Sequence, residues 1–384
     1  VIATLLTFLS LVISAKICPP LASDGAVLKK YPLSSKVVKP GDVADGEIIT
    51  TPFGTATFEA IAPVTPEQSA PIIAATPCEI TPSAAAVAAG ICPIIVGTDI
   101  VGSIRNPASF CGLYGHKPSF GRVPFHPQTS PSVCAGPIAR SVADAARLLT
   151  IIASPDGRDP TALPFANVIY EEAIKGEPTK QKIGFMRNIG FGPTPDDEVL
   201  RLCEAGVKVF ELMGNEIQDI SPPFKSDDII KAENFYRTRT LAELELLPSE
   251  TREKGKVINT WAEEAKHYSG VDHYRDYLGT QDLRSRMFSA MGDNDLLILP
   301  TVPIPPYAAE NPGLDDGDIF SPWCNTFVFN LTQQPAISIP CGKTSSGLPV
   351  GLQIVGRVHD DICVLRAAKA YEDNSGYQIM VPEM

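Results

Sequence analysis

The chain has 384 residues, 44% of them hydrophobic, and a formal net charge of −12. It can bury a sizeable core, and it is a poor partner for nucleic acid or an anionic membrane surface, both of which select for Lys/Arg patches. Nine cysteines and five histidines lie scattered with no CxxC pair and no ligand spacing, which speaks against a zinc site and a dense disulfide framework.

In chain order, residues 1–16 (VIATLLTFLSLVISAK) are an apolar run of signal-peptide length, too short to span a bilayer and without a basic leader. A buried strand of an α/β sheet is the competing reading. The expected location is cytoplasmic, or secreted or membrane-anchored if this run is a targeting segment. A weak helix is expected over Asp24–Tyr31, a strand near Glu47–Thr50, and a Pro-rich loop over 64–82. The alanine run Ala84–Ala89 predicts a closely packed helix that stops at Gly90. Pro93–Gly97 reads as a short buried strand. Ser141 is placed to cap a helix over Val142–Ile152, and Ser154–Pro160 is turn chemistry.

Further on, Lys182–Met186 reads as a strand, Asp196–Leu212 as an amphipathic helix and Glu216–Ile220 as a second strand. That βαβ order implies parallel neighbours. Residues 225–292 are helix-rich and highly charged. Strands return at Leu296–Leu299, Ala336–Pro340 and Leu352–Val355, and a last helix spans Asp360–Tyr371. Interleaved strands and helices predict one large α/β domain over 1–384, with a mixed twisted sheet flanked by helices on both faces.

One turn carries a chemical reading. Directly after the short apolar run Pro93–Gly97, Asp99-Ile100-Val101-Gly102-Ser103-Ile104-Arg105 presents a serine on small residues between an acid and an arginine. The amides of Ile100, Val101, Gly102 and Ser103 could face a developing oxyanion, the largest electrostatic contribution in acyl transfer. Asp99 and Arg105 are spaced to support the loop as a bidentate pair. His116, close by, reads as structural.

The residues GTDIVGSIRNPASFCGLYGHKPSFGRVP closely resemble the motif of the amidase signature family of serine hydrolases. GPIARSVADAARLL (136–149), ILPTVPIP (298–305), NLTQQPAISIPCG (330–342) and PVGLQIVGR (349–357) follow in that family's order. The resemblance implies that Ser103 is the nucleophile of a hydrolase acting on linear amides, with no cofactor and no metal. It also implies that 225–292 is a cap shaping the substrate pocket and that the family's N-terminal helical segment is lacking. The implied partner is a small-molecule amide, with a homodimer among the options.

The same resemblance supplies a base: a lysine on an early buried strand, relayed through a serine of a GGSSGGS motif before the Ala-rich helix. Here the family register puts Glu79 at the relay and Ser10 at the lysine position, and Val101 replaces a glycine in the nucleophile loop, where a β-branched residue restricts the backbone. Three explanations stand: a pseudoenzyme or scaffold on the amidase fold, Glu79 as base to Ser103, or a sequence that is imperfect across residues 1–82. A glutamine-amidotransferase-like role, feeding ammonia to a partner, is a further option.

Overall fold

The computed structural model describes residues 48–51, 54–57, 82–127, 130–176, 180–249, 252, 255–307 and 318–379. Two compact units divide the chain at Pro66. The first contributes a hairpin, β1 (Ile48–Thr51) against β2 (Gly54–Thr57), antiparallel with Ile48 opposite Thr57. The expected strand near Glu47–Thr50 falls there. The runs expected over 1–16 and 24–31, with Ser10 and Glu79, lie outside the described residues.

In the second unit, α1 (Pro82–Ala88) leads to β3 (Ile94–Asp99), α2 (Arg105–Cys111) and β4 (Tyr114–Lys117). Next come β5 (Cys134–Ala139), α3 (Val142–Ile152), α4 (Tyr170–Ala173), β6 (Lys182–Phe185), α5 (Asp197–Leu212) and β7 (Glu216–Asp219). The segment 225–292 folds into α6 (Asp228–Glu245), α7 (Lys256–Glu263), a 3₁₀ turn and α8 (Gly270–Met291). The chain closes with β8 (Leu296–Pro300), α9 (Cys324–Leu331), β9 (Ala336–Lys343), β10 (Pro349–Gly356) and α10 (Asp361–Asn374).

Eight strands form one mixed sheet in the order β3-β5-β4-β9-β10-β8-β6-β7. The β6–α5–β7 unit is parallel, as the βαβ pattern predicts, and β6 also runs parallel to β8. Every other neighbouring pair is antiparallel. Because strand side chains alternate between faces, Leu296 and Ile298 enter one core while Leu297 and Leu299 enter another. The first core is roofed by α3, α5 and α10, the second by α6, α8 and α9. The sheet is thus covered on both faces.

Local chemistry accounts for the best-read helices. Ser141 accepts from the Asp144 amide at the start of α3, and Asp196 accepts from the Glu198 and Val199 amides at the start of α5, each satisfying donors the helix cannot bond itself. β2, β4, β5, α2, α4 and α9 were not anticipated. β4 and β5 carry Gly, His, Lys and Pro (YGHK, CAGPIA) and lack an apolar alternation. α2 carries Pro107, but in its first turn, where no intrahelical N–H bond is lost.

Candidate active site

Asp99 ends β3 and Arg105 begins α2, so the turn 100–104 hangs between two regular elements. Both charged side chains are fully buried. Arg105 meets Asp99 in a fork, Nε to Oδ2 at 3.0 Å and Nη2 to Oδ1 at 2.8 Å, the bidentate geometry that fixes orientation as well as charge. Its remaining donors reach Thr326 O at 2.9 Å, Gln353 Oε1 at 2.8 Å and Asn330 Oδ1 at 2.6 Å. Asn330 Nδ2 returns to Asp99 Oδ1 at 2.8 Å and also lies 3.1 Å from Ser132 O. The Ile104 amide closes the turn on Asp99 Oδ2.

A buried carboxylate is stable only when its charge and lone pairs are answered. Burial alone would raise the Asp99 pKa. The Arg105 charge and hydrogen bonds, Lys117 and Asn330 outweigh burial and hold it below the usual carboxylate range. Lys117, the last residue of β4, is itself fully buried, and its Nζ donates to Gln334 O at 2.6 Å and Pro118 O at 3.1 Å. Burial lowers its pKa, against the opposing pull of Cys134, Asp99 and Asp361. His116 is buried on the same strand with Nε2 3.6 Å from Asp361.

On this foundation the loop shows its polar backbone. Ser103 is partly exposed while Gly102 beside it is buried. The amides of Ile100, Val101, Gly102 and Ser103 bond to no described residue, and neither does Ser103 Oγ. Amides with no described partner beside a partly exposed serine are the kind of groups that acyl-transfer chemistry requires.

Val101, the β-branched residue in this loop, does not take the position that needs glycine. Val101 does not have positive φ; the left-handed requirement falls on Gly102 at φ 136°. The Val101 side chain packs with Ile100 against the core under α6, α8 and α9. At Gly102 a Cβ would stand 2.3 Å from Thr326 Oγ1 and 2.8 Å from Thr326 Cβ, so only glycine fits.

The structure brings together Asp99, Ile100, Val101, Gly102, Ser103 and Arg105. The base and relay positions, Ser10 and Glu79, fall outside the described residues. Sequence reasoning did not assign Thr326, Asn330, Gln353 or Lys117. Asn330, Gln353 and Lys117 sit inside motifs that could have pointed to them, whereas Thr326 is a lone hydroxyl in an apolar helix with no such signal. Among the described residues no group of His, Cys, Asp or Glu is arranged to hold a metal, and no helix is long and apolar enough to cross a membrane.

The family model described as Amidase matches residues 83–365, well over half of the chain. The chain belongs to the amidase signature family. Among curated relatives of this family member, the acylamidase of Rhodococcus erythropolis is 33% identical over 305 residues, covering 76% of this chain and 63% of that protein. A glutamyl-tRNA(Gln) amidotransferase subunit of Synechococcus sp. (strain CC9605) is 32% identical over 323 residues, covering 76% and 65%. The chain thus spans less than two thirds of the length of these two relatives. The fold is similar to that of a bacterial aryl acylamidase of the amidase signature family (TM-score 0.68, 27% identity, 77% of this chain and 65% of that one). It is also similar to 6-aminohexanoate cyclic dimer hydrolase (TM-score 0.71, 25% identity, 78% and 68%).

Proposed function

We propose that the protein is a hydrolase of carbon–nitrogen bonds that cleaves a small-molecule amide through an acyl-enzyme on Ser103. The observation that carries this reading is the pairing of a partly exposed Ser103 with amides at 100–103 that bond to no described residue, on a loop pinned by the buried Asp99–Arg105–Asn330 network.

In the first step Ser103 Oγ attacks the amide carbonyl carbon and gives up its proton. Negative charge collects on the former carbonyl oxygen, where preorganised N–H donors stabilise it. Collapse expels the amine, which takes up a proton, and leaves an ester on Ser103. Water then attacks that ester and releases the acid. Asp99 and Arg105 touch neither substrate nor reacting atoms; they hold the loop. By the family register Glu79 and Ser10 stand at the relay and base positions, and of the two only Glu79 has a side chain able to act as base. We assign the helical segment 225–292 the role of a cap over the substrate.

A second reading is a non-catalytic scaffold on the same fold, favoured by the replacement of the family's relay serine and lysine by Glu79 and Ser10. A fluorophosphonate probe separates the two. The hydrolase reading expects the intact protein to be labelled on Ser103 and Ser103→Ala to be silent. A folded protein that takes no label establishes the scaffold. The amidotransferase reading rests on the names of relatives such as the Synechococcus protein, and no residue of this chain adds to it.

A further inference from the structure

The nucleophile loop is touched by a group that acid–base reasoning overlooks. Thr326, fully buried on α9, lies 221 residues from Arg105 in sequence, yet it meets the loop three times. Its carbonyl accepts from Arg105 Nη1, its side chain fills the space beside Gly102, and its hydroxyl lies 2.7 Å from Val101 O. We propose that Thr326 is a positioning residue that aims the Gly102 amide into the oxyanion site.

The hydroxyl has two acceptors within reach, Val101 O at 2.7 Å and Trp323 O at 2.9 Å, but only one proton to donate. Trp323 is the N-cap residue of α9, so its carbonyl already receives the first helical amide. Val101 O has no other donor among the described residues. The proton is therefore worth more on Val101 O, where an otherwise unanswered carbonyl sits against a fully buried side chain.

That bond does more than satisfy a carbonyl. The 101–102 peptide is planar and trans, so its C=O and N–H point in opposite directions. Holding Val101 O on Thr326 turns the Gly102 N–H away from α9, and that amide bonds to no described residue. Rotating this peptide by half a turn would put a carbonyl where the oxyanion needs a donor. Gly102 itself, at φ 136°, would not resist, because glycine tolerates both signs of φ. The resistance has to come from outside the loop, and Thr326 supplies it.

This inference rests on the hydrolase reading for its consequence but not for its geometry, and the experiment keeps the two apart. Thr326→Val is nearly isosteric and loses only the donor; Thr326→Ser keeps the donor. With the fluorophosphonate probe, Thr326→Val is expected to lower the maximal labelling rate at Ser103 by about 10-fold or more, as loss of an oxyanion donor does. The probe concentration giving half that rate should not change, and Thr326→Ser, which keeps the donor, should label at close to the wild-type rate. A merely structural role would lower both variants together or move the half-saturating concentration.

Hydrogen exchange of the peptide spanning 99–110, followed by mass spectrometry, reads the same clamp without chemistry. Faster exchange in Thr326→Val and wild-type exchange in Thr326→Ser are expected. A wild type that takes no label removes the hydrolase reading, and the exchange data then decide the clamp alone. Labelling of Thr326→Val within twofold of wild type, or loop exchange unchanged by that substitution, overturns the assignment.

Discussion

Removing Arg105 tests whether the nucleophile loop stands on a buried ion pair. In Arg105→Met the Asp99 carboxylate keeps its burial and loses both forked hydrogen bonds, while Thr326 O, Gln353 Oε1 and Asn330 Oδ1 each lose a donor. Breaking one side of a buried pair costs about 3–5 kcal/mol, because the partner charge stays behind unanswered. Against a total stability of about 5–15 kcal/mol, that is a large share. At a urea slope of about 3 kcal/mol per molar, the unfolding midpoint should fall by about 1–2 M. Arg105→Lys keeps the charge but not the fork and should fall in between. The double variant Asp99→Leu/Arg105→Met removes both charges and should lose less than the two single variants summed, the sign of direct coupling. Urea titration followed by circular dichroism measures all of these. The control is Arg158→Met, which breaks the exposed pair with Asp156 and should leave the midpoint in place. If Arg105→Met moves the midpoint no further than Arg158→Met, the loop does not depend on this pair.

Two further predictions follow from the same packing. Asp361 is fully buried; burial would raise its pKa, but His116, the Ser119 amide and Arg122 outweigh that and bring it from 3.8 to about 2. A carboxyl depressed in the folded state stabilises above its unfolded pKa and loses that contribution as pH falls through the folded value, here between about 4 and about 2, for a total on the order of 2 kcal/mol. The stability gap between wild type and Asp361→Asn should therefore narrow when urea titrations are moved from pH 7 to pH 3; a gap independent of pH would refute the assignment. Phe327 has no exposed surface and stacks on Phe191 at 5.6 Å between ring centroids, with Phe320 at 5.0 Å. Phe327→Ala should cost about 3–5 kcal/mol and loosen α9, so that loop exchange at 99–110 rises with it; a loss under about 1 kcal/mol would mean that this cluster is not packed as described.

What could be read from the residues alone follows the range of the interactions. The α5 helix and its parallel neighbours are legible because caps and apolar periodicity are written within a dozen residues. The Asp99–Arg105 pair is legible for the same reason, since its partners are six residues apart. β4 and β5 are not, because tertiary pairing overrides a composition of Gly, His, Lys and Pro that no strand propensity favours. The groups completing the site come from much farther away: Thr326, Asn330 and Gln353 are brought to Arg105 across 221, 225 and 248 residues. Only the folded sheet, with α9 leading into β9 and β9 pairing with β10, carries them there. Val101 shows the opposite failure. Its local chemistry suggests a restricted loop backbone, but the left-handed position is Gly102, and the β-branched side chain packs against the core.

The loop and its chemistry therefore have separable origins in this chain. Among the described residues, Asp99, Arg105, Thr326, Asn330 and Gln353, which pin the loop that carries Ser103, lie within 83–365, the span that matches the family, and each satisfies a specific buried donor or acceptor. The positions proposed for proton transfer at Ser103 lie before that span and carry Glu79 and Ser10. A buried network of this kind is costly to break at any single member, whereas a base exchanged outside it leaves every one of those bonds in place. Selection for a stable fold alone would thus preserve the Asp99–Arg105–Asn330 network and the left-handed Gly102 while leaving the base free to change. The network explains how the nucleophile turn is built, and only covalent labelling of Ser103 reports whether a proton acceptor still serves it.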